Sequence, residues 1–463
     1  MSRTTDTKLT DRHINVLEYA WQYYRNHSVG PLYQNIRRNT GVTKSELGNI
    51  FPNGLNSVFT WIGIPIQSKE DGCKAMVTLD VENLQEIYLD HNATTPLRPE
   101  VAAAMVDFLR DPRSYGNASS AYDVGSIAFD AIDQARRNVA ACLGAAPGEI
   151  YFVGSGTEAN NLALKGIVDR YPGGVGHIVT TCVEHPSVLQ VGQYLQTLGH
   201  DVTYLPVRPD GTLSADDVRK AIRPDTIVVS IMAANNEIGT VYPLSGIGEV
   251  CREHGVAFVV DAIQAFGKIP LRPKDMGISV LTISGHKIGA PKGVGAIFVD
   301  GSMELVPQTH GGSQESGLRA GTENVLGIHA MGLASKLAVG EIRENTLHLL
   351  GLRTHFLKEL KRIAPDAVVN GTLEHRLPNN ISVGFPGVDS GSILLSLNQI
   401  GVYVSAGSAC SAGNDNYSHV LEAIGVDVSK YGTVRFSFGK NTTVENLDYL
   451  FEHLPAILEG IGS

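Results

Sequence analysis

The sequence predicts an α/β fold: a large domain built on a mostly parallel sheet, a smaller C-terminal α/β domain, and a short helical module ahead of both. Three observations carry this reading. The short β-branched runs His177-Ile-Val-Thr-Thr181, Asp201-Val-Thr-Tyr-Leu205 and Thr226-Ile-Val-Val-Ser-Ile231 alternate with helix-patterned stretches, as parallel strands joined by helices do. A charged and apolar helical pattern from Glu341 to Arg362 opens a second α/β stretch that runs to Ser463. The first eighty or so residues lack the alternation and read as helices broken at Gly30-Pro31. The domains are therefore drawn at 1–78, 79–340 and 341–463.

In the leading module, Ile14, Leu17, Ala20, Trp21 and Tyr24 fall on one helical face, and a second helix follows through Ile36. A further helix is expected from Ser45 to Ile50, then a turn at Phe51-Pro-Asn-Gly54 leading into Leu55 to Ile62. In the large domain, Glu149 to Val153 reads as a strand, Gly154-Ser-Gly156 as a turn, and a helix opens on Thr157 and Glu158. Such a turn leaves backbone N–H groups above a helix N-terminus, where a phosphate fits. It matches neither the dinucleotide pattern nor the nucleotide loop, so alone it is weak. Ala257 to Asp261 reads as a buried strand that delivers a carboxylate at its carboxyl end, with Gln264 a short step later. A lone Asp261 is equally a strand-end cap or an ion-pair member.

Leu281 to Ser284 is an apolar strand that runs into Gly285-His-Lys287 and then glycine-rich turns. An amine at such a strand end, walled by apolar residues, loses the solvation of its ammonium form and can act as a free base toward a carbonyl. The competing reading is a surface lysine in a loop. Ligands of open α/β sheets bind at strand carboxyl ends, where these segments fall.

Composition bounds the class. The chain has 463 residues, 43% of them hydrophobic, and a formal charge of −10, enough for a large core and a poor match to a nucleic-acid surface overall. No apolar run is long enough to span a bilayer, and Met1 to Thr10 lacks the apolar core of a signal peptide. Five cysteines without a close pair fit a reducing cytoplasm and point to neither a disulfide framework nor a metal site.

Phosphate turn, acid and lysine occur in that chain order, and with them the chain resembles the class V aminotransferase family of fold-type I pyridoxal phosphate enzymes, most closely the cysteine desulfurases. The resemblance runs from about Ile87 to the C-terminus. It rests on Tyr88-Leu-Asp-His-Asn-Ala-Thr-Thr-Pro96, Glu184-His-Pro-Ser187, Asn235-Asn-Glu-Ile-Gly239, Asp261-Ala-Ile-Gln264, Ser284-Gly-His-Lys287, Leu318-Arg-Ala-Gly-Thr-Glu-Asn324, Ser405-Ala-Gly-Ser-Ala-Cys410 and Val434-Arg-Phe-Ser-Phe438. The resemblance implies that Lys287 forms the Schiff base with pyridoxal 5'-phosphate and that Asp261 pairs with its ring nitrogen. It implies that His185 stacks on the ring and moves protons, and that Asn236 and Gln264 bond the ring hydroxyl region and the substrate. Gly156, Thr157, Ser284 and His286 become phosphate ligands, and Thr322 reaches the phosphate of the neighbouring subunit in a homodimer. Arg435 becomes the fork for the substrate carboxylate.

Cys410 points to the branch. A cysteine in a Gly, Ser and Ala stretch followed by Ser411-Ala-Gly-Asn-Asp-Asn-Tyr-Ser-His419 looks like a thiol on a mobile loop, whereas the alternative is a buried small hydrophobe. The implied reaction takes L-cysteine to L-alanine, leaves persulfide sulfur on Cys410, and passes it to acceptor proteins for iron–sulfur clusters or thiolated tRNA. A selenocysteine lyase or an aminotransferase on the same fold remains the alternative. Two wordings depart from the family: Gly154-Ser-Gly-Thr157 replaces Ser-Gly-Ala-Thr, and Ser316 stands where relatives usually carry an arginine, which leaves the charge at the cofactor mouth open.

Asp11 to Cys73 is similar to the DsrC/TusE sulfur-carrier family, on Trp21-Gln-Tyr-Tyr24, Phe51-Pro-Asn-Gly54, Gly63-Ile-Pro65 and Cys73. There a cysteine on a C-terminal arm accepts persulfide sulfur, which makes Cys73 a candidate relay. Two plainer readings stay open. Thr40 to Ile50 fits part of a helix-turn-helix in a mildly basic, DNA-binding head, and Cys73 fits a simple linker.

Overall fold

A computed structural model describes residues 10–27, 33–43, 46–47, 51, 85–171, 174–407 and 418–461. The chain divides into two compact units, Met1–Met76 and Val77–Ser463.

In the first unit, helices α1 (Asp11–His27) and α2 (Tyr33–Thr40) bury Val16, Ala20 and Ile36 together with Val42, Leu47 and Phe51. The buried line of α1 is His13, Val16 and Ala20, with Leu17 packed beside it, whereas Ile14 is 41% exposed. The expected face is thus rotated by about one residue at its start. The cause is His13: its ring meets Phe51 edge-on at 5.3 Å and its Nδ1 lies 2.7 Å from the Thr10 hydroxyl, so a polar residue fills a position that hydrophobic counting skips. The side chains of Trp21 and Tyr24, most of the expected helix Ser45 to Ile50, and residues 52–84 with Cys73 lie outside the described residues. Thr43 and Glu46 cap each other reciprocally, the Thr43 N–H donating to Glu46 at 2.9 Å and the Glu46 N–H to the Thr43 hydroxyl at 3.3 Å.

The second unit opens with strand β1 (Ile87–Tyr88) and helices α3 (Pro99–Arg110) and α4 (Asp123–Leu143). The large sheet is then built from β2 (Ile150–Val153), β3 (His177–Thr181), β4 (Asp201–Leu205), β5 (Thr226–Ser230), β6 (Ala257–Asp261), β7 (Val280–Ser284) and β8 (Gly295–Val299), in the spatial order β2-β8-β7-β6-β5-β3-β4. Strands β3 to β7 run parallel, and β8 is antiparallel to both β2 and β7. Connecting helices include α5 (Gly156–Val168) and α6 (Pro186–Thr197). Both faces of the sheet are covered, so its central strands β6 and β7 are buried along their whole length. Val229, Phe258 and Val260 join one core, and Val228, Ala257 and Val259 the other. Each such side chain contributes about 1.5–3 kcal/mol by leaving water.

After helices α7 (Val325–Gly340) and α8 (Ile342–Ile363), a smaller sheet orders β12 (Tyr431–Ser437), β10 (Asn380–Pro386) and β9 (Val368–Asn370), antiparallel throughout. Its core gathers Phe356, Phe436, Phe438 and Phe451, and it also takes Ile87 and Leu89 from ahead of the large sheet, because β1 pairs in parallel with β11 (Val402–Tyr403). No single described helix is long and apolar enough to cross a membrane.

One clamp fixes the edge of the large sheet. Arg136 on α4 binds both carboxylate oxygens of Glu315, at 2.7 and 2.8 Å, and Glu315 also accepts the Phe152 N–H at 2.8 Å. Glu315 and Ser316 both sit at positive φ, 47° and 56°, a conformation that costs non-glycine residues and persists only where the surroundings impose it. Ser316 is exposed and does not line the cavity described below. Changing Arg136 to Ala strands the buried Glu315 carboxylate. A loss of about 3–5 kcal/mol in denaturant-induced unfolding is the expected outcome, with Arg136→Lys recovering only part of it.

Candidate active site

Strands β6 and β7 lie side by side, and their carboxyl ends set the site. Asp261 ends β6, where its carboxylate accepts the Ile263 N–H at 2.9 Å and the Asn160 side-chain N–H at 2.7 Å. Strand β7 ends at Ser284, and a tight helical turn, Gly285–Lys287, swings the lysine back over the sheet. There its Nζ donates to the carbonyls of Asn92 at 2.6 Å and Ala93 at 2.8 Å.

On the other side, β2 leads through Gly154 and Ser155 into α5. Ser155 caps the helix by accepting the Glu158 N–H, so the helix starts at Gly156, one residue earlier than expected. Gly156 is required by close approach: a Cβ there would fall 2.2 Å from the Ile263 side chain. The N-terminus of α5 thus closes directly onto the residue that follows Asp261 by two.

These elements enclose a cavity of about 490 Å³. Of the residues singled out in the sequence, Gly156, Thr157, His185, Asn236, Asp261, Gln264, Ser284, His286, Lys287 and Arg435 all line it. Thr322 does not; it is exposed. Cys410 and Cys73 lie outside the described residues. The described residues flanking Cys410 are anchored beside the cavity. The Ser418 hydroxyl donates to Glu237 Oε2 at 2.5 Å, and a Cβ on Gly407, at φ 114°, would come within 2.9 Å of the same oxygen.

The electrostatics are dominated by cations in a dry place. Burial, then the neighbouring Lys287 and Arg435, lower Lys268 to about 7. Its Nζ donates to Gln264 Oε1 at 2.9 Å, which turns the Gln264 amide so that its nitrogen donates to the Asn92 carbonyl at 2.8 Å. His286 is lowered to about 4 by burial and by Lys287 and Lys292, and therefore stays neutral. His185 is lowered as well, chiefly by burial. Arg435 is 1% exposed. Its Nη2 donates to Asp90 at 2.6 Å and its Nη1 to the Asn236 carbonyl at 3.1 Å, while its buried Nε meets no protein acceptor.

Several members escaped sequence reasoning. Asp90, Asn92 and Ser187 stand within motifs that gave them no task, and Lys268 and Asn160 carried no signal of their own. Asn160 was within reach: it lies one helical turn from Gly156, on the face that the phosphate turn presents to the sheet.

An amine and a carboxylate on adjacent strand ends, facing a helix N-terminus across one cavity, define a fold-type I cofactor enzyme. The Aminotransferase class-V profile matches residues 87–450, and the chain belongs to that family. It is 44% identical over 376 residues to the cysteine desulfurase IscS of Dictyoglomus turgidum, covering 81% of this chain and 95% of that protein. It is 45% identical over 374 residues to a cysteine desulfurase of Trichormus azollae, covering 81% and 93%. Among solved structures, a NifS-like protein superposes with a TM-score of 0.76 at 35% identity, over 81% of this chain and all of that one.

Next to His185, Glu184 is wholly buried. Its Oε1 accepts the Thr181 hydroxyl at 2.8 Å and the Met232 N–H at 3.0 Å, its Oε2 meets no protein partner, and burial pushes its carboxyl up to about 8. A carboxyl raised on folding supports the native state fully below its unfolded value, and that support is lost as pH rises toward the folded value. The melting temperature of the protein should therefore fall between about pH 5 and pH 8 by an amount that Glu184→Gln removes. Equal slopes for the two proteins in a pH series of thermal melts would refute the assignment.

Proposed function

We propose that this chain is a pyridoxal phosphate-dependent cysteine desulfurase, converting L-cysteine to L-alanine and delivering the sulfur as a persulfide on Cys410. The observation that carries the reading is the meeting of Lys287, Asp261 and the α5 N-terminus around one cavity. The residues present fit the cofactor. Backbone N–H groups at Gly156 and Thr157, with Ser284 and His286, offer donors to a phosphate, and the Asp261 carboxylate offers an acceptor to a protonated ring nitrogen. When bound, pyridoxal phosphate supplies an aldehyde that captures amines and a ring that takes up the electron pair left at a substrate α-carbon.

The chain's own groups do the rest. Arg435 holds the substrate carboxylate, with its Nε and the outer N–H groups of its fork as donors, while Asp90 keeps the guanidinium in place. Asn236 and Gln264 orient the reacting parts. Lys287, whose Nζ donates to the Asn92 and Ala93 carbonyls, gives its amine to the cofactor at rest and removes the α-proton once the substrate has displaced it. His185 moves protons on the opposite side. Cys410 attacks the substrate sulfur as a thiolate; the carbon–sulfur bond breaks, its electron pair stays with carbon, and a sulfur–sulfur bond forms. Protonation at carbon then yields alanine.

The wider setting follows. Thr322, exposed and not among the residues that line its own chain's cavity, fits a phosphate contact in the second subunit of a homodimer. The family match begins at residue 87, so the leading unit is additional to the enzyme, and its similarity to sulfur carriers supports Cys73 as a relay between Cys410 and acceptors serving iron–sulfur clusters or tRNA. The described cysteines, Cys142, Cys182 and Cys251, are free thiols, which fits the reducing cytoplasm.

Lys287→Ala should abolish release of both alanine and sulfide from L-cysteine, with a loss of about 10²-fold or more, and prevent the yellow colour of the bound cofactor. Cys410→Ser should keep the colour and lose sulfide transfer by a comparable factor. Undiminished desulfuration by Cys410→Ser would overturn the thiol's role. Mass mapping of all five cysteines after incubation with L-cysteine should find one added sulfur atom on Cys410 and on Cys73, and Cys73 should remain unmodified in the Cys410→Ser protein.

A further inference from the structure

Behind the cavity, a side-chain chain connects the two groups that face the cofactor from different elements. Asn160, 1% exposed on α5, uses both N–H groups of its amide: one reaches Asp261 Oδ2 at 2.7 Å and the other the Ser187 hydroxyl at 2.9 Å. Its carbonyl oxygen accepts the Thr282 hydroxyl at 2.6 Å, so the amide cannot turn over without setting two acceptors against each other. The Ser187 oxygen lies 2.8 Å from His185 Nδ1, and the Ser187 backbone N–H also points at Nδ1, at 3.1 Å.

The direction of every bond in this chain is forced. An N–H from the backbone can only donate, so Nδ1 must hold a lone pair. Ser187 accepts from Asn160 and is left with one proton, which it gives to the same Nδ1. Asp261 receives donors from Asn160 and Ile263 and can only accept.

We propose that Asn160 and Ser187 are positioning residues, a relay that fixes Asp261 as an acceptor in a set orientation and His185 as the tautomer with its proton on Nε2. The inference rests on the roles given to Asp261 and His185 above and adds how they are set. Protonating Nδ1 would break two hydrogen bonds at once, so His185 exchanges protons only through Nε2. The charges that bear on His185 are Asp261, which favours its cationic form, and Lys287 and His419, which oppose it; burial opposes it most. The relay acts with burial, because donors on a lone pair stabilise the neutral ring.

The test uses full-length holoenzyme carrying Ser187→Ala, Asn160→Ala, both together, Ser187→Thr, and His185→Gln. Two quantities are followed against pH: kcat/KM for L-cysteine and the visible absorbance of the bound cofactor. Ser187→Ala removes a donor from the neutral ring, so the acid limb of kcat/KM should move up by about half to one pH unit, with a fall of about five- to tenfold in kcat/KM. Ser187→Thr should restore both. Asn160→Ala should shift the absorbance midpoint, and the double variant should change less than the sum of the singles, since both cut one chain. Additive effects, or pH curves that coincide with the unaltered enzyme, overturn the relay. If Asn160→Ala does not fold, the Ser187→Ala and Ser187→Thr pair alone decides: unmoved curves reject it. His185→Gln separates the two layers of argument. If it retains the acid limb and full turnover, the role of His185 itself fails; if it loses them while the relay variants change nothing, only the relay fails.

Discussion

The turn from Asp90 to Thr95 must hold two backbone carbonyls against a half-buried lysine amine, and the remainder of the site is arranged around that demand. Asn92, 1% exposed, is the centre of it. Its carbonyl accepts Lys287 and Gln264, its backbone N–H donates to Ser437 on β12 at 2.9 Å, and its side chain bridges the Asn236 carbonyl, at 3.1 Å, to Asn379, at 3.0 Å. Residues of the large sheet's loops and of the small sheet therefore meet on one asparagine. Two carbonyl oxygens of one turn thus fix where the lysine amine stands.

The same logic extends to charge. Lys287 and Arg435 stand close enough to Lys268 to disfavour its charge, which with burial brings Lys268 to about 7, while Asp90 and Asp261 are the carboxylates set among them. Removing these cations from water costs several kcal/mol each, and the protein's own acids repay only part of it. A ligand with a phosphate and a carboxylate would repay more. The site is thus destabilised in the direction that anion binding relieves, and binding energy of that origin adds to the stability of the folded chain. A thiolate approaching the same region would be favoured on the same grounds.

What the sequence made legible were features written locally. Strand ends, the Gly-Ser-Gly turn and the lysine after Ser-Gly-His each announce themselves within a few residues, and all were found on one cavity. What it hid were the partners. Asp90 pairs with Arg435 across 345 positions and Asn160 with Asp261 across 101, and no periodicity connects such residues. The Arg435 fork, read from the sequence as the holder of the substrate carboxylate, is found with both outer nitrogens already engaged, by Asp90 and by the Asn236 carbonyl. Polar residues inside cores are hidden for a related reason. His13 on α1 and Glu315 beside β2 are buried because a particular neighbour satisfies them, Thr10 in one case and Arg136 in the other, and a hydrophobic pattern cannot show that.

The position of Arg435 also constrains how a thiol can be presented. Its backbone N–H donates to the Ser405 carbonyl at 2.6 Å and its carbonyl accepts the Ser405 N–H at 3.3 Å, so the residue proposed to hold the substrate carboxylate is laddered to the chain five residues before Cys410. Two residues on, Gly407 passes Glu237 so closely that a side chain is excluded, and Ser418, where the description resumes, bonds the same carboxyl. Glu237 itself follows Asn236, whose carbonyl receives Arg435. Arg435, Asn236 and both roots of the cysteine-bearing segment are thereby fixed to one short stretch, Asn235 to Glu237. Any displacement of that stretch would move Arg435 and the anchors of that segment together, so their relative register survives small motions that would otherwise separate them.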